Sequence, residues 1–277
     1  MKPESVLDLE VLSRQPPGRP AGPPLLFVHG AFCAAWCWAE HFLDFFADAG
    51  YPAHALSLRG HGGSPGRSHL DSLSIADYVD DVRRAADGLG ELPVLVGHSM
   101  GGFVVQKYLE RHPARGAVLM CSVPPQGLMM SAFSVMFSQP QLFGDLNALM
   151  TGGRASLENL RDALFAQDIA LDDLKRFFRL AQPESHRAVW DMMLFNLPSA
   201  SKVLRHLPSA GGAPALEVIG AEVDHLVPAS AAELTARTYG AEPCVFAGMG
   251  HGLMLERDWR VVADRLLDRL KAWGDTQ

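Results

Sequence analysis

The segment Leu92-Pro93-Val94-Leu95-Val96-Gly97-His98-Ser99-Met100-Gly101-Gly102 constrains this chain more than any other. A short apolar run ends in a serine with a glycine two residues to either side, and helix-forming residues follow. The order reads as strand, tight turn, helix. Side chains at Gly97 and Gly101 would collide with the flanking strand and helix, so both positions need glycine. The turn lifts the Ser99 hydroxyl to the C-terminal edge of a sheet and to a helix N-terminus, where developing negative charge is favoured. A solvent-facing serine in a glycine-rich turn is the bland alternative. The apolar run before it and the helix after it argue against that.

Around this turn the chain alternates. Val6 to Leu12 switches between apolar and polar residues, as an edge strand would. Leu25 to Val28, Tyr51 to Leu58, Leu92 to Val96 and Gly116 to Cys121 read as further strands. Trp36 to Ala49 has helical spacing and stops at Gly50, a C′ glycine. Ser74 to about Leu89 and Met100 to Arg111 are the next helices, and Asp77 gives Ser74 a weak capping-box partner. Gln15 to Pro24 and Arg59 to Ser68 are loops rich in Pro and Gly. Alternation of this kind predicts an α/β fold, a mostly parallel sheet with helices on both faces.

The rhythm stops at Ser122. From there to about Pro208 the pattern is helical and rich in Met, Leu and Phe, with no convincing strand. It resumes with Ala215 to Ile219 (strand), Ala229 to Tyr239 (helix), Pro243 to Ala247 (strand) and Trp259 to Trp273 (helix). The expected organisation is a core of residues 1–121 and 209–277 interrupted by a helical cap, 122–208.

The 277 residues suffice for one large α/β domain with such an insertion. A net charge of -7 without any basic run disfavours a nucleic-acid partner. Cys33, Cys37, Cys121 and Cys244 match neither a redox pair nor a zinc framework and read as free thiols. The N-terminus lacks a charged region followed by an apolar one, and no apolar run approaches the ~18 residues of a membrane span. A cytoplasmic protein without a transmembrane segment is expected. No cofactor and no metal site is expected; a homo-oligomer is compatible with the sequence.

A serine hydroxyl at such a turn needs a base, and the base needs an orienting acid. Where serine sits at a strand-to-helix elbow, the acid and then the base follow it in the chain. His112, His186, His206, His225 and His251 are the downstream histidines that matter. His251 lies on a glycine-flanked loop after a predicted strand, in Gly250-His251-Gly252. His112, at a helix end beside Pro113, suits a dipole partner better. Asp224 follows the preceding predicted strand, with Glu222 as its competitor. No carboxylate ends the Gly116 to Cys121 strand, which favours Asp224.

His29-Gly30-Ala31-Phe32, Arg59-Gly60-His61-Gly62-Gly63-Ser64, Gly97-His98-Ser99-Met100-Gly101-Gly102, Gly220-Ala221-Glu222-Val223-Asp224 and Gly250-His251 together resemble the α/β-hydrolase superfamily, over nearly the whole chain. The resemblance implies a nucleophile at Ser99, a general base at His251 and an orienting acid at Asp224. It implies oxyanion-hole amides at Ala31 and Met100, with Phe32 the substitute if the loop shifts by one. Each such donor contributes about 3 kcal/mol to catalysis. His29 and His61 match positions that hold loops in place, and His98, the neighbour of the elbow serine, is read as structural in the same way. His29 through Trp38 resembles plant-type esterases and hydroxynitrile lyases; the Gly60–Ser64 and elbow segments resemble monoacylglycerol lipases and lysophospholipases. Serine at the elbow departs from the aspartate of haloalkane dehalogenases and epoxide hydrolases.

These features imply a serine hydrolase acting on a small-molecule, moderately hydrophobic ester with an apolar acyl or alcohol group. Met and Phe in the cap suit an adaptable apolar pocket. Phe32, Trp36, Met130 and Leu226 are the substrate-binding candidates. The same triad would serve C–C bond hydrolysis or haloperoxidase-type perhydrolysis. A non-catalytic receptor of the same fold is the reading from a different class, and an intact triad weakens it.

Overall fold

Five stretches of the chain are largely apolar, and each becomes a strand buried on both faces. A computed structural model describes residues 8–129, 140–150, 153, 155–210 and 212–274. The strands are β1 (Val11–Arg14), β2 (Leu25–Val28), β3 (Ala53–Leu56), β4 (Val94–His98), β5 (Gly116–Met120), a small hairpin of β6 (Ser209–Ala210) and β7 (Ala213–Pro214), β8 (Leu216–Ala221) and β9 (Pro243–Phe246). Every residue of β2, β3, β4, β5 and β8 is buried. That burial explains the continuous apolar runs, since a covered parallel strand has no solvent face.

The main sheet has seven strands in the order β1-β3-β2-β4-β5-β8-β9. Only β1 pairs antiparallel, against β3; the other pairings are parallel. Alternate strand residues serve opposite faces. Leu26, Val28, Leu95 and Leu119 pack with Tyr78, Val82 and Phe103 on one side. Leu25, Phe27, Val94, Val96 and Val118 pack with Trp38, Phe42, Phe46 and Leu266 on the other. The sheet is thus covered by the Ile75–Asp87 and Met100–Leu109 helices on one face and by Phe42–Asp48 and Trp259–Gly274 on the other.

This order fixes where a site can form. The chain leaves β2 towards β3, then crosses back over β2 to β4. The connections after β2 and β4 therefore leave in opposite directions, the topology that places ligand sites beyond the C-terminal ends of strands in open α/β sheets. Gly30 and Ser99 occupy those two loops.

Local signals acted much as expected. Ser74 and Asp77 form a full capping box: the Asp77 amide donates to Ser74 Oγ at 3.3 Å and the Ser74 amide to Asp77 Oδ2 at 2.9 Å. The expected single helix from Trp36 to Ala49 is instead two, Trp36–Ala39 and Phe42–Asp48. His41 leaves helical geometry at φ -142°, and its ring stacks on Trp259 at 4.6 Å. Of the expected Val6 to Leu12 edge strand, residues 6 and 7 lie outside the described residues; the strand observed is Val11–Arg14, paired from Val11 with Leu56 to Arg14 with Ala53.

Between β5 and β6 the described residues form helices and their connections: Pro140–Met150, Leu157–Leu164, Leu171–Leu180, His186–Trp190, a π-helical turn Asp191–Phe195 and Ala200–Arg205. The first three pack in small clusters of their own, around Leu142, Leu160 and Ala163 and around Phe165, Leu174 and Phe177. Met130 lies outside the described residues. Among those residues no helix is long and apolar enough to cross a membrane.

Candidate active site

Ser99 sits between β4 and the Met100–Leu109 helix at φ 53° and ψ -120°. Positive φ is costly for a residue with a Cβ and is held only where the surroundings dictate it. Here they do. A Cβ on Gly97 would stand 2.5 Å from the Gly101 carbonyl oxygen, and one on Gly101 would stand 2.4 Å from the carbonyl oxygens of Val28 and His29. The Ser99 amide donates to the Met120 carbonyl at 3.0 Å, and its carbonyl accepts from Val123 at 3.2 Å. Its side chain makes no cap hydrogen bond to the helix it precedes, so the hydroxyl is not committed to the backbone. The residue is partly exposed.

Two other loops pass this edge. The Glu222 amide donates to Phe246 O at 3.0 Å and the Val223 amide to Met249 O at 2.9 Å, which lays the loop after β8 along the loop after β9. At that junction His251 Nδ1 meets Asp224 Oδ2 at 2.7 Å, both side chains buried. Asp224 Oδ1 accepts the amides of Leu226 and Val227, each at 2.8 Å. Burial pushes the Asp224 carboxyl up, but the charge and hydrogen bond of His251 and the two amides outweigh it. The carboxyl lies below its ordinary value of 3.8 and is ionised at neutral pH. A carboxylate can only accept, so Nδ1 carries the proton in this bond.

Ser99 is tied to this pair through its chain neighbour. His98 Nε2 donates to the His251 carbonyl at 2.8 Å, and the two rings lie 4.7 Å apart. Burial, then the nearby His251, lowers the His98 pKa to about 3, so the ring is a neutral donor. The loop after β2 closes the other side: a Cβ on Gly30 would stand 2.9 Å from His98 Nδ1 and 3.0 Å from Ser99 Cβ. His29 accepts the Leu58 amide on Nε2 at 3.0 Å and contacts Gly30 O through Nδ1 at 2.8 Å. It therefore braces the loop as a neutral ring, its pKa lowered to about 3 by burial and then by His61.

The remaining candidates separate. Glu222 is exposed, and its carboxylate accepts the Gly248 amide at 2.9 Å. His112 packs on Tyr108, His186 meets Asp71 at 2.6 Å on the surface, and His206 Nδ1 contacts Leu109 O at 2.7 Å. His225 is exposed. Ala31 is half-buried and Met100 buried, at the start of their respective loop and helix. Phe32 holds φ 63°, and its carbonyl accepts the Gln182 amide at 2.9 Å. Trp36 stacks on Phe177 at 5.6 Å, and Leu226 packs against the Leu142, Leu160 and Ala163 cluster.

Sequence reasoning missed the residues that bind the helical segment between β5 and β6 to these loops. Gln182 Oε1 accepts the Gly62 amide at 2.9 Å. Glu184 is fully buried, accepting from Tyr78 Oη and the Ser185 amide at 2.7 Å each, with His61 Nε2 at 3.2 Å from its other oxygen. Glu256 joins the His251 loop to the turn after the Leu157–Leu164 helix through the amides of Gly250 and Ala166. The available signal was faint: an isolated carboxylate just after the apolar run Leu253-Met254-Leu255. Cys121, at φ 43°, was read only as a thiol. It offers a donor atom within 4.8 Å of those of Asp224 and His251. Burial, then Asp224, raises that thiol's pKa well above 9.0, so it is neutral, and the other two groups already bond each other.

The chain matches the Alpha/beta hydrolase family over residues 25–265. It is 27% identical over 234 residues to a monoacylglycerol lipase of Mycolicibacterium smegmatis, covering 81% of this chain and 80% of that one. It is 38% identical over 96 residues to methyl jasmonate esterase 1 of Vitis vinifera, covering 34% of this chain and 36% of that one. For the first three curated relatives, the match spans 29%, 36% and 38% of their length. Its fold is similar to that of a solved esterase from Exiguobacterium antarcticum, with a TM-score of 0.70 at 17% identity and 95% of each chain covered.

Proposed function

Because the chain belongs to the alpha/beta hydrolase family, we propose that it cleaves a moderately hydrophobic carboxylic ester through an acyl-enzyme on Ser99. The observation that carries this reading is the buried 2.7 Å bond between His251 and Asp224, seated beside the elbow through His98.

Ser99 Oγ attacks the ester carbonyl carbon while His251 Nε2 takes the hydroxyl proton. The carbonyl π pair moves onto oxygen, and the amides of Ala31 and Met100 receive that oxyanion. Asp224 holds the Nδ1–H tautomer and stabilises the imidazolium. Collapse of the adduct expels the alkoxide, which leaves with the proton from His251. Water, deprotonated by His251, attacks the acyl-enzyme and releases the acid, and Ser99 regains its proton.

Residues 122–208 act as the cap that sets substrate choice. Phe32, Trp36 and Leu226 are its apolar contacts on the core side. The Trp36–Phe177 stack and the packing of Leu226 on the insertion support this. A panel of p-nitrophenyl esters of rising acyl length, run beside a dienoate C–C substrate, tests the reading. Ester turnover with a maximum at intermediate chain length is expected. Turnover of the dienoate alone would replace ester hydrolysis with C–C cleavage.

A further inference from the structure

The loop carrying His251 lies hard against the insertion. Gly250 and Gly252 flank the histidine, and neither has room for a side chain. A Cβ on Gly250 would stand 2.8 Å from Ala166 N and 2.9 Å from Leu164 O; one on Gly252 would stand 2.6 Å from the Phe165 ring. The Gly252 amide donates to Leu164 O at 2.7 Å. Two backbones in such contact leave their amides needing acceptors.

Glu256 supplies the acceptor. Its Oε1 takes the Ala166 amide at 2.5 Å, the Gly250 amide at 3.1 Å and the Gln167 amide at 3.4 Å. The residue is fully buried, and among the described residues its Oε2 has no partner. Burial pushes its carboxyl above the ordinary 4.5, although the three amides pull the other way. A buried carboxylate with one bare oxygen is an expensive way to add stability. Its position is more informative: one oxygen joins the amide next to His251 to the first turn after the Leu157–Leu164 helix.

We propose that Glu256 is the positioning residue for His251, locking the base loop to the Leu164–Gln167 turn of the insertion so that the imidazole stays on Asp224. This rests on the reading of His251 as general base. Glu256 touches no reacting atom; it acts through the backbone of Gly250. It follows that this part of the insertion cannot swing away without moving the base, so substrate entry uses another part of the cap.

The test compares Glu256→Ala, Glu256→Asp and Glu256→Gln on a short chromogenic ester. Displacing a catalytic group by about 1 Å costs on the order of 100-fold in rate. Glu256→Ala should therefore lose about that in kcat while KM changes little. Gln keeps an Oε1 in the same place and should restore kcat to within about threefold of wild type, a difference under 1 kcal/mol on the scale where 1.36 is tenfold. Asp keeps the charge but falls one methylene short, and should lose kcat at unchanged KM even if the Ala variant does not fold. The Nδ1–H proton resonance of His251 should weaken or shift in the Ala and Asp variants and persist in the Gln variant. Wild-type kcat in folded Glu256→Asp or Glu256→Ala overturns the proposal, and so does a Gln variant as slow as the Ala variant. His251→Ala and Ser99→Ala serve as controls. If they keep turnover, the triad reading has failed; if they are dead while the Glu256 variants are fully active, only the positioning role has.

Discussion

Asp224 and His251 stand 27 residues apart in the chain and meet at 2.7 Å with side chains 0% and 4% exposed. Each lies in a loop beyond a different strand, and two backbone hydrogen bonds between those loops set the distance. With Leu226 and Val227 donating to the second carboxylate oxygen, Asp224 is charged and fixed in orientation. A group so held can keep an imidazole in one tautomer.

Replacement of that carboxylate by an amide leaves the shape and removes the control of tautomer. Asp224→Asn should lower kcat about 10⁴-fold, as loss of tautomer control does in serine triads. Glu222→Gln, an exposed change, should stay within about 0.5 kcal/mol of wild type in stability and keep its activity. Steady-state kinetics on one ester decides between them. Equal losses would mean the acid has been misassigned.

Gly30 is predicted to be essential for rate and dispensable for folding. Its added Cβ would meet His98 Nδ1 and Ser99 Cβ, both side-chain atoms. Gly30→Ala should push the loop back and remove an oxyanion donor, costing about 10²- to 10³-fold in kcat. Gly97→Ala is different, because its Cβ would meet Gly101 and Gly102 backbone within 2.7 Å. Thermal melting of both should show a near-normal Tm for the first and little folded protein for the second.

The His61–Glu184 pair makes stability depend on pH. Burial pushes His61 down, but Glu184 outweighs it and raises the imidazole above 6.5. Burial pushes Glu184 up, but His61 and the hydrogen bonds outweigh it and lower the carboxyl below 4.5. The His61 contribution is therefore complete below pH 6.5 and fades as pH rises through its raised value. The Glu184 contribution is complete above pH 4.5 and fades as pH falls through its lowered value. Glu184→Gln should lose about 3–5 kcal/mol, the usual cost of breaking a buried pair. The Tm difference from wild type should be largest near pH ~5.5 and smaller at pH ~9. A difference independent of pH would show that His61 stays neutral.

The elbow was legible because everything that makes it is local: an apolar strand, glycines either side of Ser99, and a helix that begins at once. The pairing of Asp224 with His251 was legible because each follows a readable strand. The break at His41 was not, because it depends on Trp259, more than 200 residues away in the chain. Nor were Gln182, Glu184 and Glu256. Each has a partner far off in the chain, as with Glu256 to Ala166 at 90 residues and Gln182 to Gly62 at 120, and a lone polar residue leaves no period to read. His98 was expected only as a structural neighbour of the elbow; its bond to the His251 carbonyl ties the elbow to the loop after β9.

Covalent labelling tests most directly whether Ser99 is the nucleophile. Treated with a fluorophosphonate, the protein should gain one phosphonyl group, located by peptide mass spectrometry on Ser99. Ser99→Ala should gain none and should lose turnover on the order of a million-fold. A label on another residue, or a Ser99→Ala variant that labels and turns over like wild type, would contradict the account.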